Sequence, residues 1–292
     1  MSSMTRILIL GAGGMLGHQC VKTLSDHGEV VAVVRRRKSD FTPTQAAAFA
    51  GARLVDGLDL SDHAALRKLC AELRPDVLIN AAGIIKQRNE AKEAVASIQI
   101  NALLPHVLAQ IGEELGAYLM TFSTDCVFSC AGSGPYRESD SPSPDDLYGR
   151  SKWMGEVSHA NALTLRMSII GHELFEPKTS LLEWALSRRG TAIDGYRRAL
   201  YTGLTTLELS KLLAALMARK DRLSGIWHVA GPATDKYALL SEINSVYHLG
   251  LSISPKDHFV CDRRLDGSRF AAATGYQAPS WRAMLEELAA SV

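Results

Sequence analysis

The sequence has no excess of charge of either sign and no long targeting segment. Its 32 basic and 31 acidic residues nearly cancel and leave a net charge of +1, so no global field draws the chain to nucleic acid or to an anionic membrane. The apolar run near the N-terminus is too short for the core of a signal peptide, and we expect no later stretch to reach the length of a membrane-spanning helix. These absences predict a cytoplasmic protein without nucleic-acid or membrane partners.

Cysteine and histidine are too sparse and too scattered for a disulfide framework or a metal site. The 5 cysteines are an odd number and fall singly or within apolar segments, as reduced core thiols do. Cys126 and Cys130 are close in sequence, but no second pair accompanies them, which argues against a redox or metal site. The 9 histidines include no set with ligand spacing, so we predict no metal.

The N-terminal segment combines a strand, a glycine-rich turn and a helix. Arg6-Ile-Leu-Ile-Leu10 is a continuous aliphatic run, typical of a strand buried on both faces of a parallel sheet. Gly11, Gly14 and Gly17 follow, and the helical spacing continues to Gly28, which is expected to end the helix. In this context glycines let backbone N–H groups approach a pyrophosphate at the helix N-terminus. The segment therefore predicts a dinucleotide site, with a spacing of G-x-x-G-x-x-G in place of the commoner G-x-G-x-x-G.

The second strand, Val30-Val-Ala-Val-Val34, ends in four basic residues that bear on the choice of cofactor. NAD-specific folds place a carboxylate near this point, whereas an arginine accommodates a 2′-phosphate. No acidic residue occurs between this strand and Asp40. A solvated basic loop is the alternative interpretation. We favour NADP(H), with Arg35 and Arg36 as phosphate contacts, and NAD(H) remains compatible with the fold.

Strand and helix patterns then alternate along the chain. Strands are expected at residues 53–56, 77–80 and 118–122, with Ser61 as the N-cap of a helix and a long helix over residues 98–115. The small residues 81–83 follow a strand, where a backbone can pass close to a cofactor. This alternation predicts right-handed βαβ units and an α/β fold with a doubly wound parallel (Rossmann) sheet.

Several polar residues are expected to meet at the carboxyl edge of this sheet. Ser123-Thr-Asp125 ends the fifth strand, where open α/β sheets bind ligands. Tyr148 and Lys152 are four positions apart, so they share a helix face, and the ammonium is expected to lower the pKa of the phenol. Asn101 is polar on an otherwise apolar helix face. It either bridges backbone groups or positions a catalytic water.

These motifs resemble those of the extended short-chain dehydrogenases/reductases, and within them the dTDP-4-dehydrorhamnose reductase branch. The resemblance spans essentially the whole chain, with looser matches after residue 166. The segments that carry it are Gly11 to Gly17, Asp59, Asn80-Ala-Ala-Gly83, Asn101, Ser123 to Phe128, Gly134-Pro-Tyr-Arg-Glu138, Tyr148-Gly-Arg-Ser-Lys152, Gly155-Glu156, Leu165-Arg166, Gly225 to Gly231 and Leu265-Asp-Gly-Ser268.

The resemblance implies NADPH-dependent reduction of a 4-keto-6-deoxy sugar on a nucleoside diphosphate, for the biosynthesis of deoxysugars and cell-surface polysaccharides. Tyr148 would protonate the carbonyl oxygen, and Lys152 would tune Tyr148 and hold the nicotinamide ribose. Thr124 would hydrogen-bond the same oxygen, and Ser123 is the alternative for that role. Cys126 stands where related 4,6-dehydratases have a glutamate, which argues against dehydration.

Together, the residues and the resemblance define a set of predicted contacts and two predicted parts of the chain. The predicted cofactor contacts are Gly11, Gly14, Met15, Leu16, Gly17, Arg35, Arg36, Asp59, Leu60, Ala81, Ala82, Gly83, Asn101, Ser123, Tyr148 and Lys152. The predicted substrate contacts are Lys86, Asp125, Val127, Arg197 and Arg263, since arginine binds diphosphate oxygens in pairs. We predict a dinucleotide-binding domain at 1–166 and 204–231, and a smaller substrate-binding lobe at 167–203 and 232–292.

Two other functions are compatible with the same motifs. A nucleotide-sugar epimerase would use Tyr148 and Lys152 but retain NAD, and the basic end of the second strand argues against it. A regulatory subunit would bind NADP without turnover, and the intact set of Thr124, Tyr148 and Lys152 argues against that. The resemblance also implies a homodimer formed by helices of the dinucleotide-binding domain.

Overall fold

A computed structural model describes residues 4–85 and 93–291 of the protein. The strands are β1 (Arg6–Leu10), β2 (Glu29–Val34), β3 (Arg53–Asp56), β4 (Val77–Asn80), β5 (Tyr118–Thr124), β6 (Ala162–Met167), β7 (Ile169–Ile170), β8 (Ala192–Tyr196), β9 (Ala199–Tyr201), β10 (Leu204–Thr205), β11 (Gly225–His228), β12 (Thr234–Asp235), β13 (Ser252–Lys256) and β14 (Cys261–Asp262). The helices are α1 (Met15–Leu24), α2 (Pro43–Ala47), α3 (His63–Leu73), α4 (Ala94–Ser97), α5 (Leu104–Leu115), α6 (Leu147–Met154), α7 (Leu181–Ser187), α8 (Thr206–Met217), α9 (Lys236–Val246), α10 (Ser268–Thr274) and α11 (Trp281–Ala290).

A parallel sheet of seven strands forms the centre of the fold. Its order is β3-β2-β1-β4-β5-β6-β11, and every neighbouring pair is parallel. The order runs outward in both directions from β1 and β4, as in a doubly wound Rossmann sheet, which confirms the predicted fold class. In such sheets ligands bind in the crevice outside the carboxyl ends of the two strands where the order reverses.

The aliphatic run of β1 is explained by apolar cores on both faces of the sheet. Ile7 and Ile9 belong to the core shared with α1 and α8, whereas Leu8 and Leu10 belong to the core shared with α3 and α5. Successive side chains of a strand point to opposite faces, so both sets must be apolar. Each such side chain, when fully buried, contributes about 1.5–3 kcal/mol.

The helix before β5 is longer and more irregular than expected. It runs from Ala94 to Leu115, 22 residues that include an 18-residue window with a mean hydropathy of 1.4, so the expectation that no stretch could span a membrane was wrong on length and composition. Half of its most apolar window is buried, because α5 packs into the core beneath β4 and β5. A π-helical segment at Ile98–Leu103 shifts the buried face. As a result Ile98, which a regular helix would place on the apolar face with Asn101, is 43% exposed.

Two predicted helix ends were misplaced by one or more residues. Asp62, not Ser61, caps α3, and its carboxylate accepts from Ala65 N at 3.0 Å. α1 ends at Leu24, before Gly28. A side chain at Gly28 would collide with the Thr5 carbonyl oxygen, so glycine is required there by the close approach of two strands and not as a helix cap.

The remaining strands form three small sheets outside the main one. β7 pairs with β10, β8 with β13, and β9 with β12 and β14. α8 returns to the main sheet and packs on α1. The division into a dinucleotide-binding domain and a smaller lobe, residues 167–203 and 232–292, stays a prediction.

A disulfide bond joins Cys130 to Cys261, so the expectation of five reduced thiols was wrong for these two. Cys130 lies in the loop between β5 and α6, and Cys261 begins β14. The pairing spans 131 positions of sequence and was invisible to local spacing. It attaches the loop before α6 covalently to the lobe.

Removing this disulfide is expected to destabilise the fold. Cys130→Ser should lower the free energy of unfolding by about 2–4 kcal/mol, because the unfolded chain regains the entropy of an open loop. Urea denaturation measures the difference, and the Cys130→Ser/Cys261→Ser double variant should lose no more than the single one. Alkylation of the unfolded, unreduced protein should label the 3 cysteines outside the disulfide. Labelling of all 5 before reduction would contradict the bond.

Candidate active site

The glycine turn after β1 lies directly against the end of β4. Gly11 has a φ of +73°, and a Cβ on it would lie 2.6 Å from the backbone of Ala82. A Cβ on Gly17 would collide with the Gly11 carbonyl oxygen, so α1 packs directly on the turn. α1 begins at Gly14 without a side-chain cap. Its unpaired N–H groups and the positive end of its dipole therefore face the crevice, and they fit the pyrophosphate of a dinucleotide.

Three further predicted cofactor contacts flank this crevice. Met15 and Leu16 form the first turn of α1, and Leu16 is buried. Leu60 is partly buried against the core on the α3 side. Met15 and Leu16 therefore lie beside the glycine turn, and Leu60 lies shortly after the end of β3.

The ends of β2 and β3 carry the predicted ribose and 2′-phosphate contacts. Arg35 and Arg36 are exposed immediately after β2. The Arg36 guanidinium lies over the Phe175 ring, 5.1 Å from its centroid, and donates to the Glu176 carbonyl at 2.9 Å. Hydrogen bonds from Ser61, and to a smaller extent the charge of Arg35, hold the pKa of Asp59 below its ordinary value. The basic pair and Asp59 thus share one edge of the site.

Asn101 bridges the backbone after β4 to α6. Its Oδ1 accepts from Ile84 N at 2.9 Å, and its Nδ2 donates to Ile84 O at 2.9 Å and to Ser151 Oγ at 3.1 Å. Of the two roles considered for this residue, the structure shows the bridging one. Asn101 lies in the π-helical segment, so the irregular turn places its side chain between two parts of the site.

The approach of α6 to β5 brings Tyr148 to Thr124. Asp146 caps α6 by accepting from Gly149 N at 2.8 Å. A side chain at Gly149 would collide with the Cys126 carbonyl oxygen, so the first turn of α6 lies against the end of β5. In this arrangement the Thr124 hydroxyl interacts with the phenol of Tyr148.

Burial, not the neighbouring lysine, dominates the electrostatics of Tyr148. Loss of solvent raises the pKa of the phenol, the charges of Cys126 and Asp125 raise it further, and the interaction with Thr124 lowers it. Burial also lowers the pKa of Lys152 to about 8, against an opposing effect of Glu156. The expectation that Lys152 lowers the pKa of Tyr148 was therefore wrong for the protein alone, because desolvation penalises both charged forms.

Ser123 and Thr124 point to opposite sides of β5 and have different partners. Ser123 Oγ donates to Glu156 Oε1 at 2.6 Å. Thr124 Oγ1 donates to Asp125 Oδ1 and accepts from Cys126 N, each at 3.2 Å. Alternation along the strand thus places Ser123 against Glu156 and Thr124 on the side of the phenol.

A buried charge network, whose residues have no role predicted from sequence motifs, lies behind Ser123 and Thr124. Arg166 donates from Nε and Nη2 to the two carboxylate oxygens of Glu156, both at 2.7 Å, and the two side chains are 4% and 3% exposed. Arg166 Nη1 lies 3.2 Å from His228 Nε2. Because arginine only donates, His228 accepts at Nε2 and donates from Nδ1 to the Tyr136 carbonyl at 3.0 Å. Burial lowers the pKa of His228, consistent with this neutral form.

Arg263, a predicted substrate contact, fastens the loop after β5 to the lobe. It donates to the Phe128 carbonyl at 2.9 Å, to Cys126 Sγ at 3.2 Å and to Asp145 at 3.0 Å. Its side chain is nearly buried, and each of its nitrogens has a protein partner. Arg263 therefore holds the loop in place, and it does not form the open site for a substrate phosphate that was predicted.

The other predicted substrate contacts are dispersed. Asp125 is buried beside Thr124, and its contact with a substrate stays a prediction. Val127 is fully buried in a small apolar cluster, so its side chain offers no surface to a substrate, contrary to expectation. Arg197 is exposed and paired with Asp257 at the surface of the lobe. Lys86 lies outside the described residues.

Comparison with known proteins gives one family and a consistent set of relatives. The model of the family "RmlD substrate binding domain" matches residues 4–292. A dTDP-4-dehydrorhamnose reductase of Streptomyces griseus is 33% identical over 151 residues, which cover 52% of this chain and 43% of that protein. One from Aggregatibacter actinomycetemcomitans is 25% identical over 311 residues, with 98% of this chain and 99% of the relative covered.

The extent of these matches differs among relatives. The match spans less than half of the length of several curated relatives, the S. griseus protein among them. The crystal structure of a Bacillus anthracis dTDP-4-dehydrorhamnose reductase in complex with NADP superposes with a TM-score of 0.75 at 20% identity, with 99% of each chain covered. At this identity the likeness establishes the fold.

The buried Lys152 is expected to reduce stability, as a functional group in an apolar site does. Lys152→Met should raise the free energy of unfolding at pH 7 by about 2–3 kcal/mol, because a lysine with an ordinary pKa of 10.5 has a pKa of about 8 in the fold. Between pH 8 and pH 10.5 the unfolded wild-type chain binds more protons than the folded one, so the stability of the wild type increases with pH. The difference in free energy of unfolding between Lys152→Met and the wild type therefore becomes smaller. Urea denaturation at neutral and at alkaline pH measures this difference.

Lys68→Met, at an exposed position of α3, is the matched control and should change stability little at either pH. A Lys152→Met protein that is less stable than the wild type at pH 7 would contradict the burial argument.

Proposed function

The chain belongs to the RmlD substrate binding domain family, and on that premise we propose that it is an NADPH-dependent reductase of a nucleoside-diphosphate 4-keto-6-deoxy sugar, similar to dTDP-4-dehydrorhamnose reductases. The observation that carries the proposal is the partly buried phenol of Tyr148 beside the Thr124 hydroxyl, with Lys152 one turn away on α6. This set lies at the carboxyl edge of the sheet, beside the dinucleotide crevice. The proposed activity is that of an NAD(P)-dependent oxidoreductase acting on a CH–OH or C=O group in deoxysugar biosynthesis.

The cofactor we propose is NADP(H), with NAD(H) as a weaker alternative. Support comes from the uncapped N-terminus of α1 at the glycine turn, from the exposed Arg35 and Arg36 after β2, and from the NADP that the B. anthracis relative binds. The turn at 11–17 and the small residues 81–83 would hold the pyrophosphate and the nicotinamide half. A bound nicotinamide supplies the hydride, and the protein supplies orientation and electrostatics.

The residues of the chain divide the remaining chemistry between them. As the carbonyl carbon gains the hydride, Tyr148 gives its phenolic proton to the carbonyl oxygen, and Thr124 donates a hydrogen bond to the same oxygen. Burial keeps the phenol protonated until then. The Lys152 ammonium stabilises the phenolate that remains, and it binds the nicotinamide ribose. In this step Thr124 turns its hydroxyl from Asp125 to the carbonyl oxygen. Ser123 is assigned no contact with that oxygen, because its hydroxyl lies on the other side of β5, where it donates to Glu156.

Reduction of a ketosugar should depend on the Tyr148 hydroxyl. With dTDP- or UDP-linked 4-keto-6-deoxyhexoses, wild type should oxidise NADPH faster than NADH, measured by the loss of reduced-nicotinamide absorbance. Tyr148→Phe should lower kcat about 10²–10⁴-fold, because the proton donor is lost, while NADPH binding is retained. Thr124→Val should lower kcat more than Ser123→Ala.

The control is Tyr118→Phe, since that hydroxyl bonds to the Leu223 carbonyl at the opposite end of β5, and it should leave turnover unchanged. NADPH binding without reduction of any of these sugars would favour the regulatory alternative. Interconversion of two nucleotide sugars with retained NAD would favour the epimerase. The absence of nucleic-acid and membrane partners is also part of the proposal, supported by the balanced charge. Location in the cytoplasm stays a prediction, and the disulfide between Cys130 and Cys261 argues against it, because disulfides are rare in that compartment.

We extend the proposal to a homodimer, on the observation of an exposed apolar surface. Large apolar side chains are exposed on the helix over residues 94–115 and on the end of α6, which pack together. They are Val95 at 71%, Ile98 at 43%, Leu103 at 45%, Trp153 at 45% and Met154 at 59%. His106 ties the two helices through a 2.7 Å hydrogen bond to the Met154 carbonyl. An apolar surface of this kind suits a second copy of the chain.

Light scattering should give twice the mass of one chain for the wild type. Trp153→Glu should give a monomer with unchanged circular dichroism, because a charge would be buried in the interface. Phe259→Glu, at a residue of the lobe that is 47% exposed, should remain dimeric. A monomeric wild type at micromolar concentration would exclude the interface.

A further inference from the structure

The Phe175 ring lies between the glycine turn and the basic end of β2, and the proposed mechanism gives it no part. A Cβ on Gly13 would lie 2.9 Å from Cε2 of this ring, so the ring packs against the backbone of the turn. The guanidinium carbon of Arg36 lies 5.1 Å from the centroid of the same ring. The Phe175 side chain is buried. One buried ring therefore contacts both the turn and one of the two arginines assigned to the cofactor.

The segment that carries Phe175 holds Arg36 by a second contact. Phe175 and Glu176 lie between β7 and α7, and the Glu176 carbonyl accepts from Arg36 Nη2 at 2.9 Å. The ring fixes the plane of the guanidinium, and the carbonyl fixes its direction within that plane. A long side chain loses rotamer freedom when it binds an anion, and this loss is smaller for a side chain that is already held.

The contacts of Arg36 leave its charge and most of its donors open to a ligand. Within residues 4–85 and 93–291 its guanidinium forms no ion pair, so no carboxylate neutralises it, and its side chain is exposed. A guanidinium has five N–H donors, of which the Glu176 carbonyl takes one. Arg35 is exposed as well, but it has no hydrogen bond to the described part of the chain and acts on Asp59 only through its charge.

We propose that Phe175 is a positioning residue that sets the preference for NADP(H) over NAD(H), by holding the Arg36 guanidinium at the 2′-phosphate of the adenosine ribose. The inference rests on the proposed function and names the arginine that carries the cofactor preference. A guanidinium binds phosphate oxygens in pairs only when its plane is correctly oriented, and the Phe175 ring supplies that orientation. The two cofactors differ in this phosphate alone, so the contact changes the affinity for one of them.

The test compares the dissociation constants of NADPH and NADH, measured by calorimetry on the whole protein without a sugar. Arg36→Met should weaken NADPH binding about tenfold or more, because a hydrogen-bonded charge is lost. Phe175→Leu should weaken NADPH binding about two- to fivefold, because the guanidinium loses the ring beneath it. Both variants should leave NADH binding unchanged. Phe175→Leu/Arg36→Met should bind NADPH as Arg36→Met does, because the ring acts only through the guanidinium.

Phe41→Leu is the matched control for packing. The Phe41 ring packs on Phe175, with the centroids 5.1 Å apart, but Arg36 lies over the ring of Phe175 and not over that of Phe41. Phe41→Leu should therefore lower thermal stability as Phe175→Leu does, while the ratio of the two dissociation constants stays at its wild-type value. Should Phe175→Leu fold poorly, Phe175→Met gives the same comparison, because its flexible side chain fills irregular space.

Equal losses of NADPH and NADH affinity in Phe175→Leu would overturn the inference, since packing would then be responsible. So would a wild-type preference for NADPH that survives Phe175→Leu, or an equal change of the ratio in Phe41→Leu. A wild type that binds both cofactors equally would refute the NADP(H) preference and the inference together. The measurements contain no sugar, so absence of ketosugar reduction would refute the proposed function while a changed ratio would still support the role of Phe175.

Discussion

The close packing of α6 against β5 and the π-helical segment is the constraint on which the site depends. Gly149 meets the Cys126 carbonyl at one end of α6, and Gly155 meets the Asn101 carbonyl at the other. A side chain at either position would push the helix away from the sheet. Both contacts are needed at once, because they set the helix position that brings Tyr148 to Thr124 and Glu156 into the interior.

This packing removes the site from water, and the desolvation suits the proposed role of Tyr148 but not that of Lys152. Desolvation keeps the phenol of Tyr148 protonated and disfavours the ammonium of Lys152. A protonated phenol suits a proton donor, whereas a neutral lysine would not suit a partner of its phenolate. The charge of Glu156 opposes the effect of burial on the pKa of Lys152. Glu156 is itself tolerated in the interior because Arg166 donates to both of its carboxylate oxygens.

The loop between β5 and α6 connects this site to the lobe through several independent contacts. Tyr136 donates from its N–H to the Arg264 carbonyl and accepts from Asp266 N, each at 2.7 Å. The Tyr136 ring stacks on Phe128 at 4.2 Å. Arg263 and the disulfide of Cys130 hold the same loop. These contacts anchor residues 261–266 next to the carboxyl end of β5.

Local patterns in the sequence were sufficient for the parallel sheet, the glycine turn and the spacing of Tyr148 and Lys152, because periodicity and turn chemistry act over a few residues. They could not identify the disulfide of Cys130, the pairing of Glu156 with Arg166, or the different partners of Ser123 and Thr124. Each of these depends on which strands become neighbours and on which side of β5 is covered. The protonation of Tyr148 and Lys152 was also decided by tertiary structure, since desolvation exists only once the site has been assembled.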